Sequence, residues 1–344
     1  MRSVWLSTAT LAVAVVVHTA AYDLRQEALD TFSILPAAAP AIEGNPTNPS
    51  KVELGRMLFF EPRLSKSGLI SCSTCHAPGR AGADNVKVSA GHGGQRGTRN
   101  APTVFNAVFS KAQFWDGRAA DLRAQAKGPI QTAVEMNNTP ERVIATLESI
   151  PDYVTAFEQA FPGVPDAVTF DNVAAAIEVF EATLLTPNSP FDRFLAGDDT
   201  ALDAAQRAGL ETFMVHGCAR CHKGVNLGGE GYYVFGTEKK PPANVLPAGD
   251  KGRYEVTKKA DDTYAFRTSP LRNVALTAPY FHSGEIWDLD EAVAMMVRSQ
   301  LDSKLSDQQI REIGAFLRSL TGDQPRVALP ILPPSTATTP KPEM

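Results

Sequence analysis

The sequence predicts a mainly α-helical protein of two tandem domains. Three observations carry that prediction. Apolar residues recur at helical spacing through much of the chain. A weak internal repeat places Leu54-Gly55-x-x-Leu58-Phe59 in the first half and Gly209-Leu210-x-x-Phe213 in the second. Each copy is followed by the same pattern, Cys-x-x-Cys-His. The two copies, Cys72-Ser73-Thr74-Cys75-His76 and Cys218-Ala219-Arg220-Cys221-His222, use all four cysteines of the chain.

Lys51 to Phe60 places Leu54, Met57, Leu58 and Phe59 on one helical face, and Pro62 ends it. Pro140 to Leu147 opens a second helix, with Val143, Ile144 and Leu147 apolar. Phe170 to Leu185 has the clearest period: Val173, Ile177, Phe180 and Leu184, with Thr169 or Asp171 as cap and Pro187 beyond. Ala204 to Phe213 leads into the second cysteine motif, and Leu289 to Val297 is a further helix. Ser306-x-x-Gln309 is a capping box ahead of Ile310, Ile313, Phe316, Leu317 and Leu320, with Gly322 past the end. Asn188 to Asp199 reads as an inter-domain linker, and Gly228 to Arg267, rich in Gly, Pro and Lys, as a long loop. The domains expected are residues 22–187 and 188–325, followed by a Pro- and Thr-rich tail, 326–344, expected to be disordered.

Cys-x-x-Cys-His is the attachment pattern of a c-type haem. The two thiols add across the haem vinyl groups and the adjacent His takes the iron from one face. Two other readings are weaker. A thioredoxin-like Cys pair opens a helix in a βαβ unit, and no such pattern is present. A four-thiolate zinc site would leave each pair's own His unexplained. The expectation is therefore two tandem cytochrome c-like domains, each with one covalent haem c.

C-type haem is attached outside the cytoplasm, so an export signal is expected at the start of the chain. Arg2, the apolar run within Leu6 to Val17, and the small residues Thr19-Ala20-Ala21 fit one, with cleavage after or close to Ala21. An uncleaved anchor is the alternative, although the run is short for a membrane span. With residues 1–21 as signal peptide, the expected location is the periplasm. The composition is that of an ordinary soluble protein, 43% hydrophobic and 21% charged, and the net charge of -5 argues against nucleic acid as a partner.

A haem iron has two axial positions. Filling both makes an electron carrier, and opening one permits chemistry on a small ligand. Apart from His18 in the signal and the two motif residues His76 and His222, the chain offers His92, His216 and His282. His216 is too close to the second motif to reach the far face of that haem. His92, in Gly91-His92-Gly93-Gly94, is either a turn residue or a ligand able to swing.

From Leu54 to Gly322 the chain resembles the bacterial di-haem cytochrome c peroxidases, a family that includes the di-haem enzyme maturing methylamine dehydrogenase. The stretches that carry the resemblance include LGRMLFFEPRLSKSGLISCSTCH (54–76), GHGGQRGTRNAPTVFNAVF (91–109), AQFWDGRA (112–119), GPIQTAVEM (128–136), GCARCHKGVNLGG (217–229) and LRNVALTAPYFHSG (271–284), in the family's order. The resemblance implies roles residue by residue. The haem on Cys72, Cys75 and His76 would be the peroxidatic one, with His92 its removable distal ligand and Gln125 and Glu135 its distal-pocket pair. Trp115 would lie between the haems. The haem on Cys218, Cys221 and His222 would take in electrons, with Met296 as its axial ligand. Asn100 and the carbonyls of Thr277 and Pro279 would hold a calcium ion at the domain junction. Without the resemblance, Trp115 and Met296 read as core and Glu135 as a solvated carboxylate.

The implied activity is reduction of hydrogen peroxide to water with electrons from a small c-type cytochrome or a copper protein. Glu135 would move a proton between the peroxide oxygens as general acid–base catalyst and Gln125 would orient the ligand. A thioether on the second haem raises its potential relative to bis-His ligation. The relative that matures methylamine dehydrogenase has tyrosine at the place of Met296, so methionine there favours the peroxidase branch. An oxidase acting on a protein or organic substrate, and a plain di-haem carrier, are the alternatives. Family members are often dimers, so a homodimer is an open expectation.

Overall fold

The computed structural model describes residues 24–344, and the expected signal peptide lies outside the described residues. In chain order the α-helices are α1 (residues 24–31), α2 (Pro49–Phe59), α3 (Cys72–Cys75), α4 (Leu122–Gln131), α5 (Pro140–Glu148), α6 (Pro151–Ala160), α7 (Phe170–Ala182), α8 (Pro190–Leu195), α9 (Ala204–Val215), α10 (Tyr254–Thr257), α11 (Leu289–Gln300) and α12 (Asp307–Arg318). One small antiparallel pair, β1 (Tyr232–Val234) with β2 (Ala265–Arg267), sits between α9 and α11, paired so that Tyr233 faces Phe266. Side-chain caps start the longer helices: Asn48 for α2, Thr169 for α7, Asp203 for α9 and Ser306 for α12.

The repeat seen in the sequence has a packing cause. In the first half α2 crosses α7, and in the second α9 crosses α12, each time at the repeat glycine. A Cβ on Gly55 would lie 2.0 Å from the Ala176 carbonyl oxygen and 2.8 Å from Phe180 Cβ. A Cβ on Gly209 would lie 1.9 Å from the Glu312 carbonyl oxygen and 2.9 Å from Phe316 Cβ. Only glycine lets the two backbones approach this closely. The apolar faces beside these crossings make two cores. Leu54, Leu58, Val143, Leu147, Phe157, Val173 and Ile177 are buried together in the first half. Phe191, Phe194, Leu210, Phe213, Ile313 and Phe316 are buried together in the second. Each such side chain contributes about 1.5–3 kcal/mol by leaving water.

The halves meet through a buried polar hub. Asn106 and Asn273 both adopt positive φ, 59° and 60°. Their amide nitrogens donate to one acceptor, Thr186 Oγ1, at 2.7 Å each, and the Thr186 amide donates back to Asn106 Oδ1 at 3.0 Å. Asparagine tolerates the left-handed region, and its side chain satisfies groups that burial would otherwise leave unpaired.

Four expectations are corrected by the packing. The stretch 188–199 is no free linker: it contains α8, with Phe191 and Phe194 fully buried and Asp192 in a bidentate ion pair with buried Arg272 at 2.9 Å. The segment at 24–35 falls within the expected first domain but packs on the second half. Phe32 lies edge-on to Phe191, 5.5 Å between centroids, and Gly224 donates to the Thr31 carbonyl at 3.0 Å. The loop 228–267 contains the β-pair and α10. The tail 326–344, expected to be disordered, is an extended strap hydrogen-bonded along the first half, from Arg56 to Arg142. It lies along a core that the first half has already made, with Val327 packed beside Phe59 and Phe105. Helix ends differ by a few residues: α7 stops at Ala182, short of Leu185, while α9 and α11 run on to Val215 and Gln300.

Candidate functional site

The first Cys-x-x-Cys-His motif forms the short helix α3 and its C-cap. The Ser71 amide donates to Thr74 Oγ1 at 3.0 Å, which closes the turn. Cys72 and Cys75 are free thiols, not a disulfide. The Cys72 side chain packs beside the apolar group of Phe59, Phe105 and Phe180. His76 ends the turn, its amide donating to the Cys72 carbonyl at 2.9 Å. Burial holds its imidazole below the ordinary value, so the ring is neutral, as an iron ligand must be.

The second motif is built alike. Gly217, in the left-handed region, opens a 3-10 turn over Cys218–Arg220, and the His222 amide donates to the Cys218 carbonyl at 3.0 Å. His222 Nδ1 faces the carbonyls of Ser269 at 3.1 Å and Leu227 at 3.3 Å. A carbonyl only accepts, so Nδ1 carries the hydrogen and Nε2 keeps its lone pair for a metal. Burial pushes the His222 pKa down to about 4. Four free thiols in two pairs, each beside a half-buried neutral imidazole, fit covalent haem at both motifs.

The candidate distal residues of the first motif come from α4 and the turns around it. Gln125 is half-buried on α4. Pro129 lies in the last turn of α4, and the chain then folds back on itself: Glu135 N–H donates to Thr132 O at 2.9 Å and Asn138 N–H to Ile130 O at 2.8 Å. That turn carries Glu135 against the His92 turn, where His92 N–H donates to the Glu135 carbonyl at 2.7 Å. Gly91 makes the contact possible, since a Cβ there would lie 2.0 Å from the Val134 carbonyl oxygen. His92 is buried and its Nδ1 has no partner among the described residues. Burial raises the Glu135 pKa, and the positive charge of Arg118 lowers it in part. Burial raises the Cys75 pKa, and the negative charges of Asp84 and Glu135 add to it.

A cleft between the halves is lined by Asn100, Gln113, Trp115, Arg267, Thr277 and Pro279, among others. The Trp115 indole N–H donates to the Asn100 carbonyl at 2.9 Å, and the Asn100 amide donates to the His282 carbonyl at 2.7 Å. The Leu276 and Ala278 carbonyls accept from Asn85 Nδ2 at 2.9 and 3.0 Å, so the two carbonyls that alternate with Thr277 and Pro279 are already engaged. Arg267 is buried, pairs with no carboxylate among the described residues, and has its pKa lowered to about 10 by burial. A buried guanidinium in that state suits an anionic group in the cleft, such as a haem propionate. On α11, Met295 is buried and its sulfur accepts from Ser299 Oγ at 3.7 Å, whereas Met296 is half-buried beside the same core. Among the described residues no helix is long and apolar enough to cross a membrane.

The family model described as di-haem cytochrome c peroxidase matches residues 49–200. The cytochrome c551 peroxidase of Pseudomonas aeruginosa is 58% identical over 93% of this chain and 92% of its own. The chain belongs to the di-haem cytochrome c peroxidase family. It is a peroxidase, an oxidoreductase of a family that works with haem c. The methylamine utilization protein MauG of Methylorubrum extorquens is 32% identical over 87% of this chain and 86% of its own. The crystal structure of a MauG-like protein associated with microbial copper homeostasis superposes with a TM-score of 0.74 at 27% identity, covering 84% of this chain and 94% of that one.

Several groups of this peroxidase escaped the sequence reading. Ser269 orients His222 through a carbonyl distant in the chain, which no side-chain pattern reports. Arg99 ties Asp116 to Asp250, at 2.7 and 2.6 Å. His282, a histidine that the sequence offered without a role, stacks on Phe266 at 4.1 Å. Arg267 lies just outside the resembling stretches, and burial alone singles it out.

Proposed function

We propose that this peroxidase carries two covalent c-type haems in tandem cytochrome c-like domains. It would reduce hydrogen peroxide to water in the periplasm, with electrons from a small c-type cytochrome or copper protein. The donor class follows the name of the relative that is 58% identical, a cytochrome c551 peroxidase. When bound, the haem on Cys218, Cys221 and His222 supplies electron entry, and the haem on Cys72, Cys75 and His76 supplies the iron at which peroxide is cleaved. The observation that best supports the reading is the 2.7 Å hydrogen bond from the His92 amide to the Glu135 carbonyl, which joins the residue read as removable ligand to the residue read as proton carrier.

The chain's own residues then have separable tasks. Glu135, its carboxyl held above the ordinary range by burial, takes a proton from the near peroxide oxygen and returns it to the leaving oxygen. Gln125 orients the peroxide by hydrogen bonding. His92 closes the site until it swings away. Trp115 fills the space between the halves. Met296, with Met295 committed to the core, is the thioether ligand of the second motif. Asn100 Oδ1 with the Thr277 and Pro279 carbonyls would hold calcium, as neutral hard oxygens completed by water.

The second reading, oxidation of a partner protein or organic substrate, is disfavoured by methionine at position 296 and by the 32% identity to MauG against 58% to the peroxidase. The deciding experiment supplies peroxide and a reduced c-type cytochrome to the half-reduced protein. Rapid peroxide-dependent oxidation of the cytochrome is expected. No turnover, with a first haem that stays low-spin and closed, would leave a plain carrier.

A further inference from the structure

The strap at 326–344 reaches the proton-transfer turn through a short series of hydrogen bonds. It leaves the second half at Asp323, whose amide donates to the Pro187 carbonyl at 2.8 Å, and Val327 packs with Phe59, Phe105 and Cys72. It then follows the outside of the first half. Arg63 donates to the Pro333 carbonyl at 2.8 Å and to Ser335 Oγ at 2.9 Å, while also pairing with the fully buried Glu61. Thr336 Oγ1 donates to the Ser149 carbonyl at 2.9 Å. Arg142 and Lys66 both pair with Glu343, at 2.6 and 3.3 Å, and the Glu343 amide donates to the Lys66 carbonyl at 2.9 Å. Pro342 packs on Gly68.

Lys66 is the relay. Its own amide donates to the Met136 carbonyl at 2.9 Å, and the Asn138 side chain donates to the Leu64 carbonyl at 3.0 Å. The loop 62–68 is therefore held on one side by the strap and on the other by the turn that carries Glu135. Glu135 accepts from His92 in turn.

We propose that the strap is a positioning element for Glu135 and His92: by clamping loop 62–68 through Glu343, it holds the 132–138 turn and so keeps the His92 turn closed over the first motif. This rests on the assignment of Glu135 and His92 to the distal site. The clamp's last link is two partly exposed ion pairs, individually weak and screened by salt. The hold is therefore strong only in combination with the Arg63 and Thr336 bonds, and it loosens from its far end first.

The test uses the haem-loaded protein with residues 327–344 removed, and separately the double variant Arg142→Ala with Glu343→Ala, which frees only the far end. Two readouts do not depend on peroxide turnover: amide hydrogen exchange at Lys66, Glu135 and Asn138, and the spin state of the ferric first haem. Roughly tenfold or greater acceleration of exchange at those amides is expected in the truncated protein, with unchanged exchange in α9 and α12. A high-spin fraction should appear without prior reduction. A synthetic 327–344 peptide added in trans should reverse both changes. Wild-type exchange at 132–138 in both variants would overturn the proposal, as would accelerated exchange with the ferric haem still fully low-spin. If the truncated protein does not fold, the double variant decides by the same readouts. Wild-type turnover in Glu135→Gln would defeat the proton-transfer assignment instead, and the exchange data would be unaffected by it.

Discussion

Trp115 and His282 meet edge to face across the junction of the two halves, their ring centroids 6.2 Å apart and their planes at 68°. They occupy equivalent places. Each follows a phenylalanine with φ of 66°, Phe114 and Phe281. Each lies within a hairpin-like turn closed by a β-bridge, Gln113 with Ala119 and Tyr280 with Ile286. The internal repeat thus extends beyond the helices and the cysteine motifs to the two rings that face each other in the middle of the molecule.

Trp115→Phe removes the indole donor from the Asn100 carbonyl and part of the edge contact with His282. A loss of about 1–3 kcal/mol is expected for stranding a mostly buried acceptor. Denaturant unfolding of the haem-loaded protein measures it, and an unchanged midpoint and slope would show that water replaces the indole without cost.

Glu135→Gln should retain the fold and both haems but lose about a hundredfold or more of peroxide turnover, because an amide cannot shuttle the proton. Steady-state oxidation of reduced cytochrome, with haem content checked by mass spectrometry, decides. Wild-type rates would remove Glu135 from the mechanism.

Met296→His should lower the potential of the second haem and impede electron entry, since imidazole favours ferric iron more than thioether does. Met295→Leu, at the buried neighbour whose sulfur accepts from Ser299, should leave the potential alone. Redox titration that found the reverse pattern would exchange the two roles.

His92→Gly should leave the ferric first haem open and reactive with peroxide before any reduction, because nothing else in the Gly91–Gly94 turn can ligate iron. A variant that still required pre-reduction would place the gate elsewhere.

Glu181 is buried on α7, one of its carboxyl oxygens has no partner among the described residues, and burial first, then the charge of Glu178, raises its pKa to about 8. The folded state holds this proton more tightly than the unfolded chain, whose carboxyl titrates near 4.5. Stability should therefore fall as pH rises from the unfolded value toward about 8, by at most about 1.4 kcal/mol per pH unit, and then level off. Glu181→Gln should flatten that slope and be more stable than the wild type at pH 8. Thermal unfolding of the two proteins at pH 5 and pH 8 checks it; parallel pH profiles would show that the carboxyl titrates normally.

The amino-acid sequence by itself determined the helices, the repeat and the haem chemistry, because those are written in local terms. A period of apolar residues predicts the buried face of α7, a capping box starts α12, and Cys-x-x-Cys-His needs only five adjacent residues to define a haem attachment. Resemblance supplied the names of the distal and junction residues, and the fold brings Glu135 to His92 and Trp115 to Asn100. Only the tertiary structure decided where the chain's outer segments go. The segment 24–35 looked like part of the first domain and joined the second, because Phe32 finds its apolar partners there, while buried Arg272 holds Asp192 and the Ser33 carbonyl together. The strap at 326–344 lacked any period of its own, yet it is ordered by arginines spread along the first half. Its energy comes from surfaces distant in sequence, and single-chain patterning carries no record of those. The same reason hid the Ser269 carbonyl behind His222 and the Lys66 relay behind Glu135: both act through backbone groups, which every residue has and no sequence motif marks.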